Sequence, residues 1–192
     1  MPAAVLAGGA SRRMGVSKAS LPYGATTLLA HQTGRLSEIF EEVFVVTKEI
    51  PSFDAGPALV ALDRTAEHAP IHGLARALEQ VSDRLFVLAV DLPLVSEAVI
   101  RALAARSLAG KSAAVVPLAD GRLQPLAAVW RRSVLPAALA RVARGELSLR
   151  GLAQEVGAEI LPEESWREAD PSGNSFANVN TIEAYAAARE RG

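Results

Sequence analysis

The sequence predicts an α/β fold, a Rossmann-like, doubly wound and mostly parallel sheet with helices on both faces. Three observations carry this. Short apolar runs alternate with segments of helical spacing along the chain. Most of those runs are apolar at consecutive positions, as strands are when both faces are covered. The length, 192 residues, suits one domain spanning 1–192 with one central sheet.

Strands are expected over 3–7, 43–46, 58–62, 85–90, 113–116, 126–130 and 158–161. Between them, Leu28, Leu29, Gln32, Leu36 and Ile39 recur at helical spacing. So do Leu74, Ala75, Leu78 and Val81, and then Val99, Ile100, Leu103 and Ala104. Strands that alternate with helices build βαβ units, and right-handed crossovers put the helices on both faces. The segment 162–173 reads as the longest loop, too short for a second domain. No internal repeat is visible.

Composition excludes several classes. With 20 Lys+Arg against 21 Asp+Glu there is no basic excess for nucleic acid. Charges interrupt every apolar run before the ~20 residues of a membrane span. The chain has no cysteine, hence no disulfide, thiolate nucleophile or cysteine metal ligand. The first apolar run precedes the basic residues, the reverse of a secretory signal. A cytoplasmic protein that binds neither nucleic acid nor membrane is expected.

In such sheets ligands sit beyond the carboxyl ends of the strands. Four places hold polar residues there: 8–18, Asp63, Asp91 and 178–180. The first is the richest. Gly8, Gly9 and Gly15 lie in one loop with Arg12, Arg13 and Lys18. Glycines let backbone N–H groups approach an anion, and arginine and lysine suit phosphate oxygens. The loop is not a Walker A motif, because Gly15 and Lys18 are not adjacent and Ala19 follows the lysine. Nor is it a G-x-G-x-x-G fingerprint, because Gly8 and Gly9 are adjacent and Ala10 follows. A solvated basic turn is the plain alternative.

The run LAGGASRRMGVSK resembles the N-terminal signature of molybdenum cofactor guanylyltransferases, within the glycine-rich-loop nucleotidyltransferases. The resemblance continues through AVDLPLV at 89–95, the Gln124-Pro125 pair and FANVNTIEAY at 176–185. Only the first motif is specific alone; the ordered set spans nearly the whole chain. It implies transfer of GMP from GTP to the terminal phosphate of molybdopterin, with release of pyrophosphate and Mg²⁺ as the cofactor. Other molybdenum cofactor biosynthesis or acceptor proteins would be its protein partners.

Carried over residue by residue, Leu6, Ala7, Gly8 and Gly9 would bind the nucleotide. Lys18 would stabilise charge at the α-phosphorus, and Arg13 would contact the outer phosphates. Asp63 would contact the nucleoside, and Asp91 would hold the metal. Gln124, Asn178 and Asn180 would face the acceptor.

Several residues have a second reading. Asp91 follows the strand expected over 85–90 and could instead cap a helix starting near Ser96. Asp63 could be an Asx-turn residue. Asn180 with Glu183 forms a capping box for a helix over 182–191, whatever the function. His31, His68 and His72 lack metal-ligand spacing, and His31 falls in a helix where packing accounts for it. Trp130 is expected on a strand face and Trp166 in a loop contact.

The match is incomplete. Ser17 stands where the family has Asp, Thr47 where it often has Asn, and Ala69-Pro70-Ile71-His72-Gly73 where it has Gly-Pro-Leu-Ala-Gly. These differences bear on base and acceptor rather than on reaction class. Two alternatives follow: a cytidylyl- or sugar-phosphate nucleotidylyltransferase, and a nucleotide-binding relative without catalysis. Cytidylyl relatives typically have alanine at the third position of the loop run; two glycines there favour a purine.

Overall fold

The computed structural model describes residues 1–8 and 17–177. Gly9, Arg12, Arg13, Gly15, Asn178, Asn180 and the helix expected over 182–191 lie outside the described residues.

The elements are β1 (Ala3–Leu6), β2 (Pro22–Tyr23), β3 (Thr26–Thr27), α1 (Leu28–Ser37), β4 (Val43–Thr47), β5 (Leu59–Leu62), α2 (Pro70–Leu78) and β6 (Arg84–Ala89). Then come α3 (Glu97–Ala109), β7 (Ala114–Ala119), β8 (Arg122–Leu123), β9 (Ala127–Arg131), α4 (Leu135–Ala143), α5 (Leu149–Glu155), β10 (Glu159–Leu161) and α6 (Glu163–Arg167). The main sheet runs β10-β7-β9-β6-β1-β4-β5, with β8 paired to β7. Pairings are parallel from β6 through β1 and β4 to β5, and between β10 and β7. β9 runs antiparallel to both of its neighbours. The expected doubly wound, mostly parallel sheet is therefore present, with one reversed strand along that path.

Alternation along β1 divides the core. Ala3 and Val5 pack in one layer with Leu28, Leu29 and Leu36 of α1, Ile100 and Leu103 of α3, and Trp166 of α6. Ala4 packs in the other with Leu74 and Leu78 of α2, Ala138 of α4 and Leu152 of α5. Successive side chains of a strand point to opposite faces, so three consecutive buried residues require cover on both.

Helix boundaries follow local chemistry. Thr27 caps α1 by accepting from the Ala30 N–H, and Ser96 caps α3 by accepting from the Val99 N–H. Ser148 does the same for α5 through Gly151. Pro70 opens α2, where its missing N–H costs nothing.

Two expectations change. The segment 162–173 contains α6, closed by a Trp166 Nε1 hydrogen bond to Leu118 O of 2.8 Å and an edge contact of Trp166 with Phe176. Trp166 is thus a fully packed helical residue rather than a loop contact. The helices α4 and α5 occupy a stretch to which the sequence reading assigns none. Trp130 does lie on a strand, fully buried in β9. His31 packs against Tyr23, with ring centroids 4.4 Å apart.

The connection from β4 to β5 is held against α1 at one glycine. Gly56 has φ +70°, and a Cβ there would lie 2.2 Å from Thr33 Oγ1 and 3.0 Å from Ala30 O. The Thr33 hydroxyl also donates to Ala55 O at 2.8 Å. Gly56→Ala meets both the backbone penalty and the clash, and is expected to lower unfolding free energy by about 1–3 kcal/mol. Urea denaturation checks this; an unchanged midpoint would mean that the loop reseats at no cost.

Candidate nucleotide-binding site

The strand order reverses at β1, with β4 on one side and β6 on the other. In an open sheet a crevice forms beyond the carboxyl ends of the strands at such a switch point. Register fixes its floor: Leu6 pairs with Val46 on one side and Ala89 on the other. A cavity of about 270 Å³ occupies this place. Leu6, Ala7, Gly8, Lys18, Asp63 and Asp91 all line it, so the sheet gathers residues spread over positions 6 to 91.

Lys18 begins a short 3₁₀ turn, Lys18–Ser20. Its Nζ lies 3.4 Å from Asp91 Oδ2, with side-chain exposures of 19% and 27%. At that distance the pair is an ion contact rather than a tight hydrogen bond. Asp91 does not cap α3; the Ser96 hydroxyl does that. The turn after Asp91 is anchored by Arg35, whose guanidinium donates to Pro93 O at 2.8 Å and Val95 O at 2.6 Å. The Ser96 N–H in turn donates to the buried Ser175 hydroxyl at 3.0 Å, which brings the segment before position 178 beside this turn.

Asp63 forms the Asx-type turn and also lines the cavity. Its Oδ1 accepts from the Thr65 N–H at 3.0 Å and the Thr65 hydroxyl at 2.7 Å, an Asx-type turn. Its Oδ2 pairs with Lys48 Nζ at 2.7 Å, and the carboxylate is 7% exposed at the cavity wall. Burial pushes its pKa up, but the hydrogen bonds from Lys48 and Thr65 outweigh burial and hold it below the usual carboxylate value.

Gln124 is not among the cavity residues. It sits between β8 and β9, its N–H bonded to Pro117 O and its side chain 3.4 Å from Arg122 O. Leu126, two positions on, does line the cavity. The sequence reading missed Lys48, Arg35 and His68. The Nδ1 of His68 lies 3.2 Å from Gly8 O. A carbonyl only accepts, so Nδ1 carries the proton. His72 is buried and meets Glu67 Oε2 at 3.2 Å, a structural contact.

Among the described residues no cluster of three or more His, Cys, Asp or Glu could hold a metal alone. One carboxylate, Asp91, faces the cavity beside Lys18. A single carboxylate completed by phosphate oxygens and water is the donor set that Mg²⁺ takes, so the residues fit a metal carried in with a triphosphate. No helix among the described residues is long and apolar enough to cross a membrane.

Because the folded pKa of Asp63 is depressed, its contribution is present above the unfolded value of about 3.9 and is lost as pH falls through the folded value. The stability gap between wild type and Asp63→Asn should therefore be full at neutral pH and narrow below about pH 4. Urea midpoints from pH 7 to 3 measure it. A gap independent of pH would show that the carboxylate charge contributes nothing.

The geometry can be set beside known proteins. The family model described as a MobA-like NTP transferase domain matches residues 3–160. The chain is 34% identical over 196 residues to a probable molybdenum cofactor guanylyltransferase of Mycobacterium avium, covering 96% of this chain and 94% of that one. It is 27% identical to the molybdenum cofactor guanylyltransferase of Syntrophotalea carbinolica, covering 99% and 91%. The crystal structure of molybdopterin-guanine dinucleotide biosynthesis protein A from Archaeoglobus fulgidus has the same fold, with TM-score 0.86 and 24% identity over 100% of this chain and 98% of that one. A family match covering most of the chain, together with a cavity at the sheet's switch point lined by Gly8 and Lys18, places this nucleotidyltransferase in the MobA-like NTP transferase family.

Proposed function

We propose that this enzyme transfers GMP from GTP to the terminal phosphate of molybdopterin and releases pyrophosphate. The observation that carries the reading is the convergence of Gly8, Lys18 and Asp91 on one crevice, with the ammonium and carboxylate already in contact. The names of the two guanylyltransferase relatives support the choice of nucleotide and acceptor.

The acceptor oxygen belongs to a phosphate monoester, whose second pKa is about 6, so it is largely anionic at neutral pH. It needs no protein base. That oxygen forms a bond to the α-phosphorus while the bond to the β-phosphate oxygen breaks, and pyrophosphate departs with the electron pair. The protein's task is to position these groups and neutralise charge. Gly8 lets the backbone approach the nucleotide, and Lys18 meets the charge that builds at the α-phosphorus. Asp91 would hold Mg²⁺, which would supply Lewis-acid neutralisation of the phosphate oxygens. Arg13 would meet the outer phosphates, and Asn178 and Asn180 the acceptor. Gln124 would reach the acceptor from the turn before β9. Asp63 would accept from a donor on the guanine edge.

Lys18→Ala is expected to cut turnover by about 10² or more, as loss of one preorganised donor does. Pyrophosphate release with GTP and molybdopterin measures it, and a variant with near-normal kcat would remove Lys18 from the mechanism. No pyrophosphate from the wild type with any triphosphate would favour a non-catalytic relative.

Guanine offers donors at N1 and N2, whereas cytosine presents the opposite order. A site built on buried hydrogen bonds rejects the mismatch, so GTP should bind at least ~10-fold more tightly than CTP. Calorimetry with each nucleotide and Mg²⁺ tests this. Equal affinities, or a preference for CTP, would end the guanylyl assignment and leave the reaction class standing.

A further inference from the structure

Lys48 stands immediately after β4, on the same rim of the sheet as Gly8 and Asp63. Its stem runs beneath the first loop glycine: a Cβ built at Gly8 would lie 3.8 Å from Lys48 Cγ. Its head reaches away from the loop into the turn after β5. There Nζ meets Asp63 Oδ2, Thr65 O and Glu67 O at 2.7 Å, and Thr65 Oγ1 at 2.8 Å. An ammonium has three protons, and four acceptors already share them. Lys48 is therefore not poised as a second phosphate ligand, although it is a cation in a nucleotide cavity.

The same bonds immobilise Asp63. Its Oδ1 takes two donors from Thr65, and its Oδ2 takes Lys48. Three bonds on one carboxylate prevent it from rotating. Oδ2 keeps capacity for one more donor. That remaining position faces the problem of base choice, because guanine brings N–H donors where cytosine brings an acceptor. A carboxylate free to turn could yield to either base. One that is fixed leaves the wrong base with unpaired polar atoms, and this is how large discrimination arises.

We propose that Lys48 is a positioning residue that sets base specificity: it locks Asp63 and the 63–67 turn into one rigid wall, so that the carboxylate meets the base in a single orientation. The proposal rests on the assignment of Asp63 to the base in the reading above.

The test is calorimetry with GTP, CTP and inorganic tripolyphosphate, each with Mg²⁺, on wild type and three variants. Lys48→Met keeps the stem under Gly8 and removes the ammonium. Lys48→Arg restores the charge. The double variant Lys48→Met/Asp63→Asn removes both charges, so no buried carboxylate is left unpaired if the single variant folds poorly. Lys48→Met is expected to lower the ratio of affinities for the preferred and disfavoured nucleotides by about tenfold, the effect of losing one oriented charge-assisted contact. Tripolyphosphate binding should hold, because the phosphates do not touch this wall. Lys48→Arg should recover part of the ratio, and the double variant, which also loses the carboxylate that reads the base, should be no more selective than Lys48→Met. Equal weakening of GTP, CTP and tripolyphosphate would make Lys48 merely structural and overturn the proposal. An intact ratio in Lys48→Met, or a recovery of selectivity in the double variant, would overturn it too. A wild type that prefers CTP ends the guanylyl reading alone, and the Lys48 proposal is then judged on the collapse of that opposite preference. A wild type with no preference ends both.

Discussion

The burial of β1 between two parallel neighbours governs the rest of the molecule. Ala3, Ala4 and Val5 are each fully buried, with α1 and α3 on one face and α2 on the other. A strand covered on both faces and both edges has only its ends left to meet solvent. Strand order also reverses there, so the chain leaving β1 to the loop enters a crevice rather than a packed surface. Leu6, Ala7 and Gly8 are placed by this and by nothing in their own side chains. Val46, Lys48, Asp63, Ala89 and Asp91 arrive because their strands lie beside β1 or one neighbour away, whereas Lys18 comes from a 3₁₀ turn and Gly73 from α2.

Two ion pairs stand in that crevice and do different things. Lys48–Asp63 is short, has an almost buried carboxylate and is tied into a turn by Thr65. Lys18–Asp91 is longer, and its carboxylate is more exposed. A pair closed by three further hydrogen bonds on the ammonium resists exchange, because each partner would have to be replaced together. A loose, partly solvated pair gives up its contact at small cost. The first pair suits shape. In the proposed reaction the second suits chemistry, since a triphosphate would take the lysine and a metal the aspartate.

The rim around Asp91 depends on contacts remote in sequence. Arg35 on α1 holds the backbone of the turn at Pro93 and Val95, and burial lowers its pKa without removing its charge. Ser175 ties the C-terminal stretch to the first N–H of α3. Asp170 braces that stretch in turn: burial pushes its pKa up, but hydrogen bonds from Ser172 and Ser175 hold it down. Together these contacts anchor the turn that follows Asp91.

The sequence by itself pointed to the sheet class, because short continuous apolar runs such as 85–90, alternating with segments of helical spacing, read as strands covered on both faces. It also singled out Gly8, Lys18, Asp63 and Asp91, since polar residues just past apolar runs stand out on a parallel sheet's carboxyl edge. It did not find α4, although Leu135, Ala138 and Val142 recur there at helical spacing, nor α5, whose seven residues are too few to show a period, and it took α6 for loop because Pro162 and Gly173 frame it. Only the tertiary structure decided that β9 runs antiparallel, since its apolar run reads the same in either direction. It alone showed Gln124 to be away from the cavity, two positions before a residue that does line it. Lys48 was invisible for the same reason: a lysine after a strand looks solvated until folding brings Asp63, Thr65 and Glu67 around its ammonium. Local pattern fixes which residues reach the rim, and the pairing of distant segments fixes what each of them meets there.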